Sequence, residues 1–92
     1  MSNNYNELKV KVLRKIDELR NEIIDISRYI HANPELGYHE DKSVAFLLNH
    51  LEKHKLKIEF PISGIKNAFR AYVIGKKLRP AIGFISEYDA LP

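Results

Sequence analysis

The hydrophobic positions in the first third of the chain fall on one stripe. Val12, Ile16, Leu19, Ile23, Ile26 and Ile30 follow one another in alternating steps of four and three, the spacing that keeps side chains on one face of a helix. Lys, Arg, Asp and Glu fill the other faces. The pattern predicts one long amphipathic helix from about Tyr5 to Ile30. Asn33-Pro34 ends it, because a proline ring disfavours helical geometry at the residue before it. Such a stripe also suits a coiled-coil seam, but Pro34 denies the uninterrupted helix that a longer seam needs. β-rich segments follow that need a cover, so the stripe is assigned to packing on a sheet.

A second, shorter helix is predicted from roughly His39 to His54, with Val44, Leu47, Leu48 and Leu51 as its apolar face. Glu40, Asp41 and Ser43 come early in it, where carboxylates suit the positive end of the helix dipole. The period then changes. In LKIEF, Leu56, Ile58 and Phe60 alternate with Lys57 and Glu59, which describes a strand buried on one face, closed by Pro61. A turn around Ser63-Gly64 leads into NAFRAYVIG, a strand of mixed character, and residues 75–80 read as a second turn between Gly75 and Pro80. AIGFIS, residues 81–86, is apolar on both faces and is expected to be the most interior strand. The predicted fold is therefore α/β: two N-terminal helices packed on a small three-stranded sheet, in a single domain over residues 1–92.

Composition narrows the class. A chain of 92 residues makes one small domain with a modest core. Its 45% hydrophobic and 29% charged residues give the balance of a soluble globular protein, not of a disordered one. The N-terminus, MSNNYNELKVKV, is polar where a signal peptide needs an apolar stretch, and a membrane span is not foreseen. Cysteine is absent, which removes disulfides and thiolate chemistry. A cytoplasmic setting is the expectation. The net charge of +3 is mild and its lysines are scattered, apart from the cluster in GKKLRP. Lys76, Lys77 and Arg79 could touch phosphate, but neither an aromatic platform nor a glycine-rich cradle accompanies them. A charged turn is the preferred reading, and neither nucleic acid nor membrane is expected as a partner.

Three groups carry candidate chemistry. His50 and His54 lie four apart on the second helix, a spacing that can bind zinc. A third ligand is missing from the pattern, so a solvated helix end is preferred and no metal is assigned. His31, near the end of the first helix, could cap its carbonyls or favour its negative end. Glu87 and Asp89, at the C-terminal end of the last strand, are the sharpest candidates. Residues two apart on a strand point the same way, and neighbouring carboxylates are costly without a cation or donors between them. A catalytic or metal-supporting pair and a solvated loop end both fit that pattern.

The stretch ISRYIHANPELGYHE resembles the N-terminal signature of the zinc-dependent amidohydrolase and peptidase family, which includes aminoacylases, carboxypeptidase G-type enzymes and aminobenzoyl-glutamate hydrolases. His31, Pro34, Glu35, Leu36 and Glu40 match it. FISEYDALP resembles the first active-site strand of the same family through Asp89 and Pro92. Many members carry a metal-ligating histidine two residues before that aspartate, where this chain has Glu87. The amidohydrolase branch has an acid there and takes its ligands from a Cys-Gly-His segment further on.

The resemblance implies that Asp89 and Glu87 belong to the catalytic site, with Asp89 orienting a ligand histidine. It further implies a zinc or other divalent metal pair and a small-molecule amide substrate in the complete enzyme. Residues 1–92 are then expected to be the N-terminal portion of such a catalytic domain, without bound metal and inactive alone. The alternative is a self-standing α/β module with a binding or assembly role. Either way, an apolar stripe and an apolar strand left uncovered predict a homo-oligomer.

Overall fold

A computed structural model describes residues 2–77 and 79–92. Leu78, within the expected turn at 75–80, lies outside them. The described elements are α1 (Ser2–Glu18), α2 (Arg20–Ala32), α3 (Asp41–Lys53), β1 (Lys57–Glu59) and β2 (Arg70–Tyr72). No helix is long and apolar enough to cross a membrane among the described residues.

The single long helix predicted from the stripe is two helices. Leu19 interrupts it with φ −86° and ψ −2°. Its N–H is shared between the carbonyls of Lys15 at 3.0 Å and Ile16 at 3.1 Å, a local tightening toward 3₁₀ geometry. Ile23 N–H still reaches the Leu19 carbonyl at 2.9 Å, so the hydrogen-bond ladder continues across the break. Nothing in the structure explains why Leu19 in particular departs from helical geometry. The far end behaves as Pro34 requires. α2 stops at Ala32, and Asn33 closes it by donating from its side chain to the Tyr29 carbonyl at 2.8 Å.

The stripe does not lie on a sheet. Along α1 it is exposed, and its α2 portion packs on α3 instead, where Tyr29 and Phe46 stack with ring centroids 3.9 Å apart and planes 6° from parallel. α3 in turn rests against β1. Val44, early in α3, is the one buried hydrophobic side chain among the described residues, so the modest core expected from chain length is smaller still.

Among the described residues the sheet has two strands where three were expected. β1 and β2 pair antiparallel, with Ile58 opposite Ala71. The turn expected at Ser63-Gly64 is present: both residues have positive φ, 53° and 68°, and Ile65 N–H closes it on the Ile62 carbonyl at 2.9 Å. Two successive left-handed residues make the mirror-image turn that suits tightly connected antiparallel chain. Residues 81–86, expected as the innermost strand, form no ladder, and Ile82, Phe84 and Ile85 are 81, 91 and 98% exposed. A strand apolar on both faces needs cover on both, and the described chain supplies neither cover nor a neighbouring strand. The segment pairs only past that run, at a parallel bridge between Leu36 and Ala90.

Candidate functional site

The two segments that carry the resemblance, far apart in sequence, are held side by side. Ala90 N–H donates to the Glu35 carbonyl at 2.6 Å, and Leu36 bridges Ala90. The loop between α2 and α3 thereby fixes the register of the terminal segment. Gly37 lies at this junction, and a methyl group added there would make an ordinary contact, 3.6 Å from Asp89 Oδ2.

Glu35 organises this loop with its side chain as well. Its two carboxylate oxygens accept the backbone N–H groups of Lys42 at 2.9 Å and Ser43 at 2.7 Å. Those are donors that the first turn of α3 cannot satisfy itself. Glu40, the residue preceding α3, makes no side-chain cap. Partial burial opposes the charge on Glu35, yet the two amide bonds outweigh it and hold the carboxyl below its usual range. The early acids of α3 are thus not all dipole partners. Asp41 instead accepts the Asn67 side-chain amide at 2.8 Å and lies 3.4 Å from Lys66, contacts that lower its pKa, the Asn67 bond most strongly.

These contacts frame an open cleft of about 830 Å³ between the 37–40 loop, the 65–71 segment and residues 84–89. Glu40, Glu87 and Asp89 all line it, with Asn67 and Tyr88 in its wall. Tyr88 donates its hydroxyl to the Asn67 carbonyl, and Asn67 is buried with φ 68°. Burial, reinforced by the charge of Glu40, raises the Tyr88 pKa and keeps the phenol protonated as a donor. Glu40 Oε1 and the Ser43 hydroxyl are buried without a hydrogen-bond partner, an arrangement that folded proteins seldom leave uncompensated.

The cleft can orient a cationic or hydrogen-bonding group through its carboxylates. It does not hold a metal by itself, because no group of three or more His, Cys, Asp or Glu is placed to ligate one among the described residues. The implied metal pair does not fit these residues alone.

The remaining candidates lie elsewhere. His31 is exposed on the last turn of α2, and Lys76, Lys77 and Arg79 are exposed on the 73–80 connection. Of the expected solvated helix end, His54 is exposed while His50 is largely covered, and both are paired. Glu22 of α2 takes both rings, one carboxylate oxygen 2.6 Å from His50 Nδ1 and the other 2.6 Å from His54 Nε2. The bond to His50, then that to His54, holds the Glu22 carboxyl below its usual range. Sequence reading missed this clamp and the Glu35 cap. The i, i+4 histidine spacing was a signal for the first, and the Pro-Glu-Leu motif for the second.

Comparison with known proteins bears on this loop-and-strand arrangement. No family model matches the chain. In Geobacillus stearothermophilus, an N-acyl-L-amino acid amidohydrolase is 29% identical over 85 residues, covering 91% of this chain and 22% of the relative. An N-acetyldiaminopimelate deacetylase of Oenococcus oeni is 38% identical over 74 residues, 77% of this chain and 19% of its own. Thermostable carboxypeptidase 2 of Saccharolobus solfataricus is 30% identical over 86 residues, 94% and 22% respectively. The chain is similar to amidohydrolases over most of its length. It spans about a fifth of the length of the curated relatives it matches.

Proposed function

We propose that this chain forms the N-terminal portion of a metal-dependent amidohydrolase that cleaves N-acyl amino acid or dipeptide-like amides. The observation that carries the reading is the junction of the Pro34–Gly37 loop with the Tyr88–Ala90 segment. It sets Asp89 beside Gly37 in a cleft shared with Glu40 and Glu87. Similarity to an N-acyl-L-amino acid amidohydrolase and to a deacetylase over most of the chain supports the reaction class.

In this reading Asp89 is a positioning residue. Its carboxylate accepts the N–H of a ligand histidine supplied outside residues 1–92, fixing the ring's tautomer and raising its basicity. Glu87 contributes negative charge at the same rim. A divalent metal, when bound, supplies the activation of water for attack on the amide carbonyl. Residues 1–92 by themselves hold the scaffold and supporting acids, and do not hydrolyse amides.

The test is a chimera in which residues 1–92 replace the corresponding segment of the Geobacillus relative. Metal-dependent hydrolysis of N-acetyl amino acids should be retained. Asp89→Asn in that chimera should lower activity or metal affinity roughly ten- to a hundredfold with the fold intact. A folded, metal-loaded chimera without hydrolysis, or an Asp89→Asn variant with unchanged turnover and metal content, would overturn the assignment.

A further inference from the structure

The His50–His54 pair on α3 has the spacing of two zinc ligands, and the fold brings up the third group that the spacing lacks. Glu22, 28 and 32 residues upstream on α2, sets its carboxylate oxygens 2.6 Å from His50 Nδ1 and 2.6 Å from His54 Nε2. Two imidazoles from one helix and a carboxylate from its neighbour are the donor set of a zinc site with an open fourth position. The cluster shares no residue with the cleft of Glu40, Glu87 and Asp89.

Packing holds the first ring in place. The His50 side chain is 14% exposed, and its ring lies 4.7 Å from that of Phe46, which is itself stacked on Tyr29 of α2. The side chains of His54 and Glu22 are 41 and 24% exposed. The cluster is thus covered at His50 and open to solvent at His54. That combination orients the ligands and still leaves an ion and a water molecule a way in.

Protons and a metal compete for the same positions. An ionised carboxylate only accepts, so the ring nitrogens facing Glu22 carry hydrogens. As they stand, the three groups are drawn together by these bonds and are not placed to ligate an ion. Ligands bound at about 2.0–2.1 Å to a tetrahedral zinc stand about 3.3 Å apart, so the 2.6 Å contacts need to open by only about 0.7 Å. Each neutral ring then carries its hydrogen on the far nitrogen and offers the lone pair of the near one, with no net change in protons. Two nitrogen donors disfavour magnesium and calcium, which demand oxygen.

We propose that Glu22, His50 and His54 form a zinc-binding site that ties α2 to α3. Isothermal titration of the 92-residue chain with zinc chloride should show one equivalent bound, and magnesium chloride none. Residues 1–92 do not hold the metal pair assigned to the complete enzyme, so this titration reads the α2–α3 site independently of the proposed reaction. The melting midpoint should rise with zinc concentration, because an ion held only by the folded helix pair stabilises it.

His54→Ala, at the exposed side of the cluster, should lower zinc affinity at least about tenfold while the circular dichroism spectrum stays unchanged. Glu22→Gln, which keeps the shape of the side chain but not its charge, should do the same. His31→Ala, on the exposed last turn of α2, should bind zinc as the native chain does. Absence of zinc binding by the folded chain would overturn the proposal, as would an equal response to magnesium. So would zinc affinity unchanged in either His54→Ala or Glu22→Gln, or lost in Asp89→Asn instead.

Discussion

At the scale of single residues, two glutamates tie together segments that pattern alone assigns to separate elements. Glu35 caps α3 from seven and eight residues upstream while its carbonyl holds Ala90. Glu35→Ala should leave the first-turn donors of α3 unpaired. The expected result is a melting midpoint lower by several degrees, with faster hydrogen exchange at the Lys42 and Ser43 amides. Unchanged exchange there would mean that water replaces the carboxylate without cost. Glu22 joins α2 to α3 through both histidine rings, and its pKa is depressed chiefly by His50 and then by His54. A group whose folded pKa lies below its unfolded value favours folding above the ordinary carboxylate range, and that contribution disappears as pH falls through the folded pKa. The stability difference between the native chain and Glu22→Gln should therefore be present at pH 6–7 and close progressively below about pH 4.3. Thermal melts at matched pH values measure it, and a gap that persists at pH 2 would assign the effect to packing.

At the scale of elements, helices were more legible than strands. The second helix differs from its expected bounds by two residues at the start and one at the end, because its apolar spacing and flanking signals are local. The strands shrank to three residues each, since a strand's extent depends on the partner it meets, and that partner is not written in its own alternation. AIGFIS carries the composition of a buried strand, yet burial is supplied by other elements. The lining of the candidate cleft was legible in part. Sequence resemblance pointed to Asp89 and Glu87 and included Glu40 in its motif, while Asn67 and Tyr88 enter the cleft through tertiary packing that no spacing encodes. The same distinction separates α1 from α2, whose periodicity is continuous but whose surroundings differ. Phe46→Ala removes the stacked partner of Tyr29 and should cost about 2 kcal/mol, between the loss of an aromatic pair and that of a fully buried ring. Leu13→Ala, on α1 beside the stripe and 52% exposed, should cost less than about 0.5 kcal/mol. Denaturant titrations of both variants decide whether α2–α3 packing carries the stability, and equal losses would argue against it.

At the scale of the whole molecule, the chain is more extended than its length requires. The radius of gyration is 15.7 Å over a body of 48 × 29 × 24 Å, against roughly 12 Å for a compact domain of this size. α1 projects at one side, while the terminal segment from residue 81 onward runs largely uncovered until Tyr88 and Ala90 dock on the α2–α3 loop. Backbone that forms no ladder and side chains that face water make a segment open to a protease, whereas helical residues packed on a neighbour must first unfold locally. Chymotrypsin under native conditions should therefore cut first after Phe84. Phe46, which stacks on Tyr29 within the α2–α3 pair, should resist until much later. Tyr88 is the internal control: its ring is half-buried and its hydroxyl bonded to Asn67, so cleavage there should lag behind Phe84 although only three residues separate them. Mass spectrometry of the early products reads the order directly. Protection of Phe84 at times when Phe46 is already cleaved would mean that residues 81–86 are covered in solution and that the sheet extends beyond two strands.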